Sequence, residues 1–298
     1  MVTWRGRNHV GACLDALQAQ HRDHRVLVVD NASDDGTAAV LAAHPSCPTV
    51  VRLARNAGYA GGIAAALARV RTPLMAWLND DARPDPGWLA ALEDTLTDDA
   101  AAVAAQLRRV DGAVQSFGGG LTADGHGHDI VSGQQPPFAF CGGAALLRTA
   151  ALRDVGGVPT AFFCYYEDTD TSWRLRLAGW RIVSAGHAVV YHEHGASSAL
   201  GSPRFHRWNE RNRLLMLLRC APAHVVAYQL ARFVVSTVAI PLRAAPGVRS
   251  APNHRVGLRV RVLAELVSNL PGALLQRHRV GRVARVARGT LWRQWAGG

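Results

Sequence analysis

Three short apolar runs in the first eighty residues each stop at a polar side chain able to bind a ligand or to titrate. Residues 25–29 (RVLVV) end at Asp30, residues 49–53 end near Asn56, and residues 74–78 run into Asn79-Asp80-Asp81. Helical patterns follow the second and the third, at 61–70 and 86–96, the later one opening on a Pro that suits a first helical turn. Apolar runs of this length alternating with helices are the pattern of a layered α/β domain. In open sheets of this kind, ligands bind in the crevice beyond the carboxyl ends of the strands. The spacing therefore predicts one cleft that gathers Asp30, Asn56 and Asp81.

Further along, residues 102–107 read as a strand and 112–137, rich in Gly, His, Ser and Pro, as a loop or irregular insert. Order resumes over 141–148. A helix is expected over 168–178, stopped by Gly179, followed by short strands at 181–184 and 188–192. After Asn212 the character changes. Residues 222–242 are apolar but carry His224, Gln229, Arg232 and Pro241. A bilayer span wants about 20 mostly apolar residues, so this interrupted stretch reads as an interfacial helix. Residues 255–270 and 277–295 set Val and Leu at helical spacing among Arg, the pattern of basic amphipathic helices at membrane surfaces. The 298 residues thus divide into an α/β domain over 1–220 and an apolar, basic helical region over 221–298.

The formal charge of +11 comes from 33 basic residues, every one of them Arg. From Pro241 onward eleven Arg stand against one acid, Glu265, which leaves +1 for residues 1–240. A tail of this kind is drawn to an anionic surface, lipid or nucleic acid. No helix-turn-helix, RNP or zinc spacing supports nucleic acid, and none is expected as a partner. Mean hydropathy is +0.02, low for a multi-span membrane protein. Five cysteines without a CxxC pair fit reduced thiols in a cytoplasmic protein. The first residues, MVTWRGRNH, lack the apolar core of a signal peptide.

Five clusters can carry chemistry. Asp30-Asn31-Ala32-Ser33-Asp34-Asp35-Gly36 fits a strand followed by a helix cap. Asn56-Ala57-Gly58-Tyr59-Ala60-Gly61-Gly62 lets backbone N–H groups approach phosphate oxygens at a helix start. Asp80 and Asp81 repel each other at a strand end unless a cation is present, which points to Mg²⁺ or Mn²⁺ on Asp81. Glu167, Asp168 and Asp170 open a helix; the helix dipole explains one or two of them, and one suits a general base. His192 and His194 flank Glu193 on one face of a strand, where either imidazole can join a metal site.

In order and spacing, these clusters resemble family 2 glycosyltransferases of the GT-A fold, a Rossmann-like mixed sheet flanked by helices. They are most similar to the bacterial rhamnosyltransferase-like branch that builds cell-envelope polysaccharides. The similarity runs from Val2 to about Pro222 and is densest in the 42 residues that start at Gly142, GGAALLRTAALRDVGGVPTAFFCYYEDTDTSWRLRLAGWRIV. The resemblance implies that Thr3, Asp30 and Asn31 contact base and ribose, and that Asn56 and Gly58 lie along the diphosphate. Asn79-Asp80-Asp81 stands at the DXD position, with Asp81 as metal ligand and Asp80 nearer the sugar or ribose. Asp168, beside Glu167, would be the base; His192, with His194 as fallback, a further metal ligand; Arg211-Asn212 matches a pair near the end of the catalytic domain.

The implied reaction inverts the anomeric centre of a dTDP- or UDP-sugar, with rhamnose the first expectation. The acceptor would be a glycan or lipid-linked hydroxyl, and the enzyme would sit at the inner face of the cell membrane on an anionic surface. Two departures stand out: Arg5 replaces the usual Asn, and only Met1-Val2 precede the Thr-Trp pair. Two other readings compete, a basic nucleic-acid-binding protein and a catalytically inactive scaffold of the same fold. The retained acidic clusters weigh against the second.

Overall fold

The computed structural model describes residues 1–193, 201–243 and 252–297. Its first part is a βαβ alternation. Strands β1 (Val2–Thr3), β2 (Leu27–Asp30) and β3 (Thr49–Arg52) run parallel. Helices α1 (Val10–Gln18), α2 (Thr37–Ala43) and α3 (Gly58–Leu67) follow them in turn. A bridge between Val2 and Asn79 joins β1 to the end of β4 (Leu74–Leu78). Next come β5 (Ala82–Pro84), α4 (Trp88–Thr95), β6 (Ala100–Arg109) and the short strands β7 (Val114–Ser116), β8 (Gly119–Leu121) and β9 (Gly127–Asp129). They are followed by β10 (Ala144–Arg148), α5 (Thr149–Asp154), α6 (Glu167–Leu177) and β11 (Arg181–His192). The second sheet has the order β4-β10-β6-β11-β5, with β10 antiparallel to both neighbours and β6 parallel to β11. The first eight residues of β6 are all buried, as a strand covered on both faces requires.

The two short strands expected over 181–192 are one strand. Its pairing to β6 shifts register between Ala185 and Val189, where Gly186 and His187 bulge out. The polar residues that read as a break are this bulge. The 112–137 insert is also more ordered than its composition implies: β7 pairs with β6, and β8 with β9 forms a hairpin.

The C-terminal half adds α7 (Pro203–Cys220), α8 (Ala223–Arg243), α9 (Val256–Val283) and α10 (Arg288–Trp295). Pro271 lies inside α9, so the break expected between 270 and 277 falls instead at 284–287. Proline removes one helical hydrogen bond. Val262, Leu266, Ala273 and Val280, buried on either side of it, hold the helix together through packing. These residues share one core with Phe162 and Trp173 of the first part, so the apolar interior is continuous across residue 220. Trp292 stacks on Trp173 at 5.9 Å, and Arg176 lies over the Trp295 ring at 4.1 Å. The five cysteines are all free thiols.

One ion cluster ties α6 to α7. Asp170, fully buried, accepts from Arg174 Nε at 2.7 Å and faces Arg219 Nη1 at 3.3 Å. Arg174 also donates to the Val155 carbonyl at 2.6 Å and to Thr171 at 2.9 Å. Removing the single anion leaves two buried guanidinium groups uncompensated, which costs about 3–5 kcal/mol. Asp170→Ala is therefore expected to lower unfolding free energy by that amount in urea denaturation. A loss below about 1 kcal/mol would mean that the cluster is not needed to hold the two helices.

Candidate active site

The β5–β11 ladder pairs His192 with Ala82, and Glu193 N–H donates to the Asp81 carbonyl at 3.0 Å. This register sets the buried His192 beside the buried Asp81, with Nε2 3.1 Å from Oδ1. His192 Nδ1 lies 3.2 Å from Gln115 Oε1, and Nε2 lies 3.2 Å from Asn79 Nδ2. With the ring proton on Nδ1 directed to Gln115, the single Nε2 lone pair lies toward Asn79 Nδ2, a contact that an ion bound at Nε2 would replace. Two acceptor atoms, Nε2 and Asp81 Oδ1, then face each other at 3.1 Å. Neighbouring ligands of an octahedral divalent ion at about 2.1 Å lie roughly 3 Å apart, so the pair fits such an ion. Among the described residues no third His, Cys, Asp or Glu joins them. His194, the alternative ligand, lies outside the described residues.

Glu167 and Asp168 open α6 after an unusual turn. Phe163, Tyr165 and Tyr166 have φ of 65°, 71° and 68°, a region that L-residues rarely adopt. Asn212 holds this backbone by donating to the carbonyls of Phe162, Cys164 and Tyr165 at 3.0, 2.8 and 2.8 Å. Arg211 adds a bond to the Phe162 carbonyl at 2.7 Å. The Arg-Asn pair noticed in the sequence is thus a clamp on the approach to α6. Asp168 Oδ2 accepts from Gly142 N–H at 2.8 Å, and Oδ1 from Thr169 N–H at 2.6 Å. The adjoining Gly143 carbonyl accepts from Asn79 N–H at 3.0 Å. The glycine pair before β10 therefore ties Asp168 to the strand end that carries Asp81.

Both carboxylates open onto one cleft of about 1080 Å³. Asn31, Asn56, Gly58 and Asp80, singled out in the sequence, line it as well. Asn31 bonds both sides of the Ala57–Gly58 peptide region, through Ala57 N–H at 2.8 Å and the Gly58 carbonyl at 2.9 Å. Gly58, at φ 75°, abuts the Phe163 carbonyl where any Cβ would collide. Thr3 and Asp30 do not line the cleft. Thr3 is buried and donates to Asp80 Oδ2 at 2.5 Å; Asp30 is buried, accepting from Ser33 N–H and Arg52. A side chain at a strand end can point under the loop as readily as into the crevice, and here both do. Arg5 turns outward to Asp34 at 2.6 Å.

The sequence reading missed several cleft residues. Gln115 and Asp129 come from the insert over 112–137, which carried no motif. Phe163 and Trp208, 4.8 Å apart, and Tyr165 and Phe205, 5.1 Å apart, form an aromatic wall beside Arg204 and Arg207. Only aromatic density next to the acidic motif hinted at it.

The fold and the cleft together define an α/β protein whose strand-end and helix-start carboxylates open onto one crevice. The family described as Glycosyl transferase family 2 matches residues 1–156, and the chain belongs to it; the protein is a glycosyltransferase. The chain is 28% identical over 243 residues to the N-acetylglucosaminyl-diphospho-decaprenol L-rhamnosyltransferase of Mycobacterium tuberculosis, covering 69% of this chain and 78% of that one. The mannosyltransferase PcManGT from Pyrobaculum calidifontis, in complex with GDP-Man and Mn²⁺, superposes with a TM-score of 0.56 at 19% identity, over 95% of this chain and 84% of that one. S. aureus TarS 1-349 in complex with UDP gives 0.54 at 18%, over 98% and 90%. The fold is GT-A.

Burial, and then Asp168, push the Glu167 carboxyl up to about 8. Burial also raises Asp168, against the hydrogen bonds from Gly142 and Thr169. Asp80 rises to about 6 through burial, opposed by the Thr3 bond. Glu167 stays protonated in the folded chain up to about pH 8, whereas in the unfolded chain it ionises near its ordinary 4.5. Across that window the folded state holds one more proton, so stability falls as pH rises. Glu167→Gln should flatten the decline of Tm between pH 5 and 8; an unchanged slope would show that Glu167 is not the group responsible.

Proposed function

We propose that this glycosyltransferase is inverting and metal-dependent, and that it moves a sugar, rhamnose first among candidates, from a nucleotide diphosphate to a lipid-linked glycan hydroxyl. One observation carries the reading: the Asp81–His192 pair and the Asp168 carboxylate open onto the same cleft. The donor class rests on the M. tuberculosis relative, whose name also supplies a diphospho-polyprenol acceptor.

Asp81 and His192 would hold Mg²⁺ or Mn²⁺, which when bound neutralises charge on the diphosphate leaving group. Asn31, Asn56 and Gly58 line the cleft where the nucleotide and its diphosphate would lie, and Asp80 faces the ribose or sugar. Thr3 and Asp30 act behind them, Thr3 by holding Asp80 and Asp30 by holding Ser33 and Arg52. Asp168 takes the proton of the acceptor hydroxyl. That oxygen bonds to the anomeric carbon as the bond to the diphosphate breaks on the opposite face, so configuration inverts in one step. Glu167, held protonated by burial, stands beside the base without adding a second charge.

Losing a general base costs about 10²–10⁴-fold in rate. Asp168→Asn is expected to lose transfer by that factor while it still binds dTDP-rhamnose in calorimetry with Mn²⁺. Asp81→Asn and His192→Ala are expected to weaken that Mn²⁺-dependent binding instead. Normal turnover in Asp168→Asn would remove the base assignment, and undiminished Mn²⁺ dependence in both other variants would remove the metal site.

We further infer a peripheral place at the cytoplasmic membrane face. Among the described residues one helix segment, Ala223–Pro241, is long and apolar enough to cross a bilayer, with mean hydropathy 1.4. Its inner side is fastened to α9: Arg259 donates to the Phe233 carbonyl at 3.1 Å and to Thr237 at 2.8 Å. Its outer side exposes Tyr228, Val235 and Val238, and α9 exposes Val260 and Val267. A helix fastened along one side and apolar on the other lies in an interface. Full-length protein should co-sediment with vesicles containing anionic lipid, and Val235→Asp with Val238→Asp should abolish this. Retained binding in that variant, or tighter binding to duplex DNA than to vesicles, would overturn the membrane reading.

A further inference from the structure

A second hollow of about 260 Å³ adjoins the cleft. It reaches Glu167 and Asp168 but none of Asp80, Asp81 and His192. One wall is the β8–β9 hairpin with His128 and Asp129; the other is Tyr166, Thr169 and Asn209 from the start of α6 and from α7. The hairpin is built for close approach. A Cβ on Gly120 would strike the His128 ring, and Gly127 N–H reaches the Tyr166 hydroxyl at 3.3 Å. The insert over 112–137 thus ends beside the candidate base.

Glu167 Oε2 is buried here with no hydrogen-bond partner among the described residues. A buried polar atom left unpaired costs about 1–3 kcal/mol unless something binds it. The hollow is below the roughly 300–1000 Å³ of drug-sized pockets, so it suits a single sugar ring. Its wall offers donors and acceptors in mixture, as hydroxyl groups require. The donor nucleotide, by contrast, needs the larger cleft that contains Asp81.

We propose that this hollow is the acceptor subsite: it seats one pyranose ring of the acceptor, with the reacting hydroxyl turned to Asp168, and His128, Asp129 and Asn209 decide which sugar enters. The inference rests on the transferase reading above. It makes Asp168 the ridge between two substrates, with the donor on the metal side and the acceptor on the hairpin side.

His128→Ala and Asn209→Ala test it, since neither residue lines the larger cleft. The probes are dTDP-rhamnose with Mn²⁺ and a short-chain alkyl N-acetylglucosaminyl diphosphate. Each variant is expected to raise KM for the alkyl acceptor about tenfold or more while KM for the donor stays within about twofold. Unchanged acceptor KM in both, or a rise in donor KM in place of it, would overturn the assignment. Binding of the same acceptor is also read without donor, by ligand-observed NMR. Its loss in both variants supports the subsite even if dTDP-rhamnose proves the wrong donor, and its retention in both overturns it.

Discussion

The site depends on a stretch of backbone that would not hold its shape alone. From Phe163 to Tyr166 three side-chain-bearing residues sit in the left-handed region, and such residues cost of order 1–3 kcal/mol each. They persist because Asn212 and Arg211 satisfy four carbonyls of the turn at Ala161, Phe162, Cys164 and Tyr165. The shape has two consequences. It starts α6 with Glu167 and Asp168 facing the cleft, and it presents the Phe163 carbonyl to Ala60 N–H at 3.1 Å, which seats the beginning of α3. One clamp on α7 thereby sets both the base side and the nucleotide side of the cleft.

The clamp itself needs a rigid support, and the C-terminal helices supply it. Helix α7 lies between the catalytic layers and α9, and Glu265 on α9 faces Arg211 at 3.3 Å. Arg277 of α9 donates to the carbonyls of Leu218 and Ala221 at 2.8 Å each, closing the end of α7. Several arginines are spent inside in this way. Arg174, Arg176, Arg213 and Arg219 are buried against carboxylates or carbonyl oxygens. A strongly basic sequence therefore does not translate residue for residue into a basic surface, and the face that α8 and α9 turn outward exposes Tyr228, Val235, Val238, Val260 and Val267.

The strands that end at Asp30 and Asn79 were legible because apolar runs and their polar stops follow local rules. The DXD-like triplet, the Glu167-Asp168 pair and His192 were legible for the same reason: each lies at a boundary between elements. Pro271 misled, because proline's local cost is set against apolar contacts from distant residues. The insert over 112–137 misled in the other direction. Its Gly-rich composition reads as a loop or an irregular insert, yet Gly120 is there to let a hairpin fold against the His128 ring. Gln115 and Asp129 reach the cleft only through that folding.

By itself the amino-acid order determined the alternation of strands and helices, the strand ends that carry acids, and the membership of those acids in one recognisable series. Tertiary structure alone decided which of them share a cavity, that Thr3 and Asp30 point beneath the wall and Asp81 and Asp168 into the cleft, and that the basic tail closes the core. The reason is range. Strand and helix patterns are written in neighbouring residues, whereas the orientation of a side chain at a strand end is set by whatever the rest of the chain packs against it.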